Sequence, residues 1–267
     1  MVIKMDLNET LIEIAKRIQI KASEKLKHKP ISEEEGAKID VELEEEIIRF
    51  LRERYSYFTF IGEETGKHVY GSGKPIFIVD PLDGSLNAYR GYPIYSTSIA
   101  VAEENNFRSI IGGIVMNLVT GDTFIGLKGF GVKLNGRRVT PSKVKNLSEA
   151  LIAVDMNIRG KYLQHLKLVT PLISEAKHVR FIGTDALETC FVAAGICDAF
   201  IDLRGVLRLT DFAAACFMVK EAGGIVINEY GSTLDFEFND NIRSKYIAAA
   251  NMELAKEIIN RIKSVIE

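Results

Sequence analysis

Asp80 and Asp83, three residues apart in the run Asp80-Pro81-Leu82-Asp83-Gly84-Ser85, are the side chains of this sequence best placed to do chemistry. They follow the apolar run Ile76-Phe77-Ile78-Val79, which reads as a strand, so both carboxylates fall at a strand end. Hard divalent cations such as Mg²⁺ take oxygen ligands in near-octahedral geometry, and this spacing lets both side chains and the Leu82 carbonyl converge on one region. Pro81 holds Asp80 extended, and Asp83-Gly84 makes the turn. A helix beginning near Ser85 sets free N–H groups and a positive dipole end beside the carboxylates, which suits a phosphate bridging protein and metal. Taken alone the pair is weak, because many such pairs are solvated turns.

Further acids lie at comparable places. Phe58-Thr59-Phe60-Ile61 reads as a strand running into Gly62-Glu63-Glu64-Thr65-Gly66, and Leu209-Thr210-Asp211-Phe212-Ala213-Ala214-Ala215 opens a helix with an acid in its first turn. On its own Asp211 is what a capping residue looks like. Together the three segments resemble the inositol monophosphatase and fructose-1,6-bisphosphatase superfamily, whose motifs are G-E-E, D-P-[LI]-D-G-[ST] and W-D-x-A-A in that order. Order and spacing match along nearly the whole chain. Thr210 stands where Trp is usual, and the chain has no Trp.

The resemblance implies a phosphoric monoester hydrolase that uses metal-activated water without a phosphoenzyme. By motif position Glu63, Asp80, Asp83 and Asp211, with the Leu82 carbonyl, are the implied Mg²⁺ ligands, for two or three ions per site with Mn²⁺ as an alternative. Four carboxylates on one site repel one another at neutral pH, so cations are nearly required to hold them together. Two ions roughly 3.5–4 Å apart polarise phosphoryl oxygens, acidify a bound water and stabilise the leaving alkoxide. Ser85, where Thr is commoner, resembles the hydroxyl that positions this water. Asp40 aligns with a T-x-x-D segment and is implied in water activation, although an acid at a helix start is also an ordinary solvated residue. The Pro- and Gly-containing stretch from His28 to Ala37 reads as a loop, and it is expected to close over the phosphate.

Substrate choice falls to the second half. Arg180-Phe181-Ile182-Gly183-Thr184-Asp185 resembles an R-x-x-G-[ST]-x segment, and Asp202-Leu203-Arg204-Gly205 precedes the third metal motif. Arg204, with or without Arg180, is expected to hold the distal phosphate of a sugar bisphosphate, because its planar fork suits phosphate. Structural ion pairs are the plainer reading of both arginines. Asp185, where Ala is common, is expected at the wall of the ring site, and Asp83, Gly84 and Ser85 at the reacting phosphate. The pattern most resembles archaeal dual-activity enzymes acting on inositol 1-phosphate and fructose 1,6-bisphosphate. A 3′-phosphoadenosine nucleotide phosphatase and a catalytically quiet regulatory protein on the same fold are the alternatives.

The elements that must carry these residues alternate along the chain. Leu7, Leu11, Ile14 and Ile18 predict an amphipathic helix from about 7 to 26, and Leu43, Ile47 and Leu51 predict a second. Strand-like segments at 95–102, 110–117 and 123–127, with an Asn135-Gly136 turn, predict an antiparallel sheet. Strands at 151–154, 179–182 and 199–203 then alternate with helices at 162–175 and 186–194, and a last helix runs from Met252 to about Val265. The resemblance implies the sugar-phosphatase type of α/β layering, a five-layer αβαβα sandwich. It is expected as one domain over 1–267, with lobes at about 1–150 and 151–267.

The chain has 267 residues, 47% hydrophobic and 26% charged, enough to bury a large core. With a net charge of −2 and no sustained basic face, generic nucleic-acid binding is not expected. No signal-peptide or membrane-spanning run is read, so a cytoplasmic protein acting on a small sugar or inositol phosphate is expected. Cys190, Cys197 and Cys216 lack paired metal-site spacing and read as reduced packing residues. The aromatic segment Tyr89 to Tyr95 and the resemblance suggest a homodimer, with a homotetramer as the larger alternative.

Overall fold

In the computed structural model, which describes residues 2–26, 29–157, 163–239 and 241–266, the run before Asp80 is a strand buried on both faces. Phe77 and Val79 point into one apolar cluster and Ile76 and Ile78 into another, as period-two alternation requires. This strand, β3 (Ile76–Asp83), belongs to a large sheet. Its other members are β1 (Phe58–Gly62), β2 (Lys67–Tyr70), β4 (Ser96–Ala102), β5 (Ile110–Asn117), β6 (Thr123–Leu127), β7 (Gly131–Leu134) and β8 (Arg137–Val139). The order is β2-β1-β3-β4-β5-β6-β7-β8, parallel only between β1 and β3. β7 and β8 are joined at Asn135-Gly136, both at positive φ, the turn that the sequence signalled.

A second sheet comprises β9 (Leu151–Val154), β10 (His178–Arg180), β11 (Ala199–Leu207), β12 (Ile225–Ile227) and β13 (Ser244–Ala249), ordered β10-β9-β11-β13-β12. The helices are α1 (Val2–Leu26), α2 (Glu33–Arg54), α3 (Ser85–Arg90), α4 (Leu163–Glu175), α5 (Asp185–Ala193), α6 (Leu209–Ala222) and α7 (Met252–Ile266). Leu11 and Ile14 of α1 and Leu43 and Ile47 of α2 pack on the Phe77 and Val79 face of the large sheet. α5 and α6 lie between the sheets, where Leu187 and Phe212 share a cluster with Ile78, Phe200 and Tyr246. Leu168 of α4 and Ile258 of α7 cover the far face of the second sheet through Ile201 and Ile247. The layers therefore run αβαβα. No helix among the described residues is long and apolar enough to cross a membrane. The three cysteines are free and buried.

Two expectations need correction. The stretch from His28 to Ala37 is not a loop throughout: α2 already begins at Glu33, because the Ser32 hydroxyl accepts from the Glu35 N–H at 3.1 Å and caps it. Asp40 consequently sits inside the helix and is buried, not at its start. The strand expected over 179–182 is β10, ending at Arg180, since the next amides turn to a side chain described below. His28 and Tyr162, which fell in an expected loop and helix, lie outside the described residues.

Candidate active site

The three-residue spacing of Asp80 and Asp83 works because β3 is irregular there. Asp80 pairs with Ser98 and Asp83 with Ser96, so β3 spends one residue more than β4 over this interval. On a regular strand residues three apart face opposite ways. The bulge turns both carboxylates toward Asp211, whose charge raises both, and Asp83 raises Asp80 further. Asp80 Oδ1 accepts from the Leu82 N–H at 2.9 Å, which folds the side chain back over the bulge.

Around Asp80 the structure gathers Glu63, from the end of β1, and Asp211, from the first turn of α6. One oxygen of each of the three carboxylates lies within 4.8 Å of the others. Asp211 Oδ2 also accepts from the Arg208 N–H at 2.7 Å, so the residue serves as a helix-start acceptor as well. Asp83 adjoins this trio. Its Oδ2 accepts from Ser96 Oγ at 2.7 Å, and the amides of Ala186 and Leu187 at the start of α5 offset part of the rise that burial causes in its pKa. Burial raises every one of these acids, Glu63 to about 8 and Asp83 to about 7 with Asp80 and Asp211 shifted in the same direction, and the charges of neighbouring acids add to it at Glu63, Asp80 and Asp83. Oxygen-only donors that repel one another this strongly fit a hard divalent cation. The Arg208 guanidinium stands at the rim, 2.5 Å from Glu63 Oε1.

Gly84 links this cluster to α3 at φ 80°, and a Cβ there would meet Thr184 Cγ2 at 2.6 Å. Only glycine fits that passage. Ser85 opens α3, and Asp40 approaches from α2 with its carboxyl raised to about 7, chiefly by burial.

Arg204 departs from expectation. Its guanidinium is buried among carboxylates, pairing with Asp202, with Asp155 at 2.9 Å and with Asp185 at 3.7 Å. Burial works against its charge, but Asp202, Asp185 and Asp155 outweigh that and hold it protonated. The fork is thus occupied by side chains and not open to a distal phosphate. Arg180 is exposed at the end of β10 and donates to its neighbour Val179's carbonyl at 2.9 Å, with no hydrogen bond or ion pair to the carboxylate cluster. Asp185 opens α5 with its pKa raised well above the usual carboxylate range, first by burial and then by the charges of Asp155, Asp202 and Asp83.

Several residues escaped the sequence reading. Glu44 of α2, fully buried, accepts from the Glu64 and Thr65 amides at 2.9 and 2.8 Å and from Thr65 Oγ1 at 2.6 Å, and so fixes the turn carrying Glu63. Glu188 of α5 does the same for the opposite wall, accepting from the amides of Ile182, Gly183 and Thr184. Tyr89, read as part of an association surface, is buried and donates to Asp40 Oδ2. The sequence did offer one missed sign. Ser32-Glu33-Glu34-Glu35 has the S-x-x-E spacing of a capped helix start.

The fold and the clustered acids define a class of metal-assisted phosphatase. The description "Inositol monophosphatase family" matches residues 4–267, and the chain belongs to that family, and with it to the phosphoric monoester hydrolases. It is 35% identical over 237 residues to the fructose-1,6-bisphosphatase/inositol-1-monophosphatase of Methanothermobacter thermautotrophicus, covering 85% of this chain and 83% of that protein. It is 33% identical over 253 residues to the bifunctional NADP phosphatase/NAD kinase of Methanocaldococcus jannaschii, covering 83% of this chain but 43% of that one. Among solved structures, extragenic suppressor protein suhB from Bartonella henselae superposes with a TM-score of 0.84 at 27% identity, covering 97% of this chain and 98% of that one.

Proposed function

We propose that this chain hydrolyses inositol 1-phosphate and fructose 1,6-bisphosphate with Mg²⁺, releasing inorganic phosphate to water. The observation that carries the reading is the meeting of Glu63, Asp80 and Asp211 with one oxygen of each within 4.8 Å of the others. Both substrates are those named for the Methanothermobacter relative. Glu63, Asp80, Asp83 and Asp211, with the Leu82 carbonyl, would hold the cations. When bound, these supply positive charge to the phosphoryl oxygens and acidify a water. Ser85 orients that water, and Asp40 takes its proton. Gly84 lets the backbone approach the phosphate where any side chain would collide with Thr184. Because Arg204 is closed off, a bisphosphate is recognised through its reacting phosphate and its hydroxyls, with Asp185 at the wall.

The test is phosphate release from inositol 1-phosphate, fructose 1,6-bisphosphate and NADP, with Mg²⁺ and with chelator. Release from the first two that disappears with chelator is expected. Release from NADP alone would move the reading to a nucleotide phosphatase, and none from any would refute it. Exposed Leu86 on α3 and Tyr92 just after it support a homodimer. A monomeric mass by light scattering at micromolar concentration would contradict that part.

A further inference from the structure

Residues 181–184 carry the chain from the end of β10 to the start of α5, and no strand or helix of their own holds them. Side chains hold them instead. Glu188, fully buried on α5, accepts from the Ile182, Gly183 and Thr184 amides at 3.2, 3.0 and 3.4 Å. From the other side Asn87, on α3, donates through Nδ2 to the Ile182 carbonyl at 2.9 Å and to the Ile94 carbonyl, just before β4, at 3.0 Å. Ile182 is thus pinned by its N–H to α5 and by its C=O to the helix that follows Asp83. Both acceptors of Nδ2 are carbonyl oxygens, so the position needs the donor end of a neutral amide, and an aspartate of the same shape would set oxygen against oxygen. Gly183 passes close by at φ 81°, where a Cβ would stand 3.8 Å from Asn87 Nδ2.

The passage so held lies against the turn that follows Asp83. A Cβ on Gly84 would meet Thr184 Cγ2 at 2.6 Å and the Gly183 carbonyl oxygen at 3.2 Å, and Asp185 comes next in the chain as the first residue of α5. We propose that Asn87, with Glu188, is a positioning residue that fixes the 182–185 passage against the Asp83-Gly84 turn and so aims the sugar or inositol ring of the leaving group at the bound phosphate. The assignment rests on the hydrolysis proposed above, in which the turn takes the reacting phosphate and Asp185 stands at the ring. Asn87 and Glu188 act through the main chain of that passage and not on the substrate itself. Reaction needs the ring and the phosphate in one geometry, and a displacement of about 1 Å costs up to about a hundredfold in rate. An ester whose leaving group carries no hydroxyl for Asp185 draws nothing from the passage.

The experiment compares full-length wild type, Asn87→Asp, Asn87→Ala and Glu188→Gln in Mg²⁺ on inositol 1-phosphate and on para-nitrophenyl phosphate. The readouts are kcat, KM and the Kd for Mg²⁺ by calorimetry. Asn87→Asp is expected to lower kcat/KM on inositol 1-phosphate by about ten- to a hundredfold, while the aryl ester stays within about threefold of wild type. The Kd for Mg²⁺ should not move, because the cluster of Glu63, Asp80 and Asp211 lies on other elements. Asn87→Ala, which removes the donor without adding a repelling oxygen, should lose less on inositol 1-phosphate and nothing on the aryl ester. Glu188→Gln loosens the same passage from its N–H side and should show the same selectivity, which keeps the test decisive if the Asn87 variants fold poorly. Equal losses on both esters, or a weakened Kd for Mg²⁺, overturn the assignment, because a merely structural role lowers everything together. Unchanged kcat/KM on inositol 1-phosphate in Asn87→Asp overturns it too and leaves the hydrolysis standing. Wild type that releases no phosphate from inositol 1-phosphate overturns the hydrolysis, and the assignment with it.

Discussion

Replacing Arg204 with Met should damage the fold more than it damages any one substrate. The guanidinium is 7% exposed and neutralises Asp202, Asp155 and Asp185, which are 0%, 2% and 16% exposed at their side chains. Met keeps much of the length and apolar stem but leaves three buried carboxylates without a counter-charge. Removing one partner of a buried ion pair costs about 3–5 kcal/mol. At about 2–4 °C per kcal/mol for chains near this size, the melting temperature should fall by roughly 6–20 °C. Asp155 and Asp185 are already raised, first by burial, and losing Arg204 would raise them further. The deficit should therefore shrink as the pH is lowered and the carboxylates take up protons. Calorimetry at several pH values, beside kcat/KM on inositol 1-phosphate and fructose 1,6-bisphosphate, checks both halves. A melting temperature within about 2 °C of wild type, with loss confined to the bisphosphate, would refute the structural role and return Arg204 to the distal phosphate.

Asp80→Asn removes a cluster charge at nearly constant size and should lower kcat by about a hundredfold or more at saturating Mg²⁺. Near-normal turnover in that variant contradicts the cluster's role. The pKa shifts set a second expectation. Glu63 rises from 4.5 to about 8, and Asp40 and Asp83 from 3.8 to about 7, so folding favours their protonated forms. That stability is complete below about pH 4 and is lost as pH rises through 7 to 8. Melts of chelator-treated protein should decline over this window and Mg²⁺ should restore most at its upper end, whereas pH-independent melts would argue against the clustering. Gly62→Ala brings a Cβ to 2.4 Å from Glu44 Oε2, and it should cost about 1–3 kcal/mol and weaken Mg²⁺ binding by disturbing the turn that carries Glu63. Unchanged stability and Mg²⁺ titration would show that Glu44 does not hold that turn.

What the sequence made legible was what is local. The strand before Asp80, the helix that opens before Asp211 and the Asn135-Gly136 turn are each written in a few adjacent residues. The positioning of the site is not local. Glu44 holds amides some twenty residues away, and a glutamate within α2's run of acids gives no sign of which one turns inward. Arg204 looked like a phosphate fork because Asp155 and Asp185, which occupy it, come from the segment just after β9 and from the start of α5. Pro30 and Gly36 suggested a loop, yet Gly36 is there because the Tyr89 ring leaves no room for a side chain. β12 and β13 passed unread, since β12 spans three residues and β13 begins with Ser244-Lys245, outside the apolar pattern.

The bulge in β3 also bears on how this site would look under mutagenesis. The extra residue of a bulge falls out of the ladder, and between Asp80 and Asp83 that releases main chain as well as redirecting side chains. A shorter D-x-D on a regular strand would present two carboxylates to one face but keep its carbonyls paired with the neighbouring strand. In the ligand set proposed above the longer spacing adds the Leu82 carbonyl, an oxygen that no codon change can delete. A systematic alanine scan across 80–83 would register the acids and pass over Leu82, whose contribution belongs to its peptide bond. Backbone ester or thioamide substitution at that linkage would reveal it.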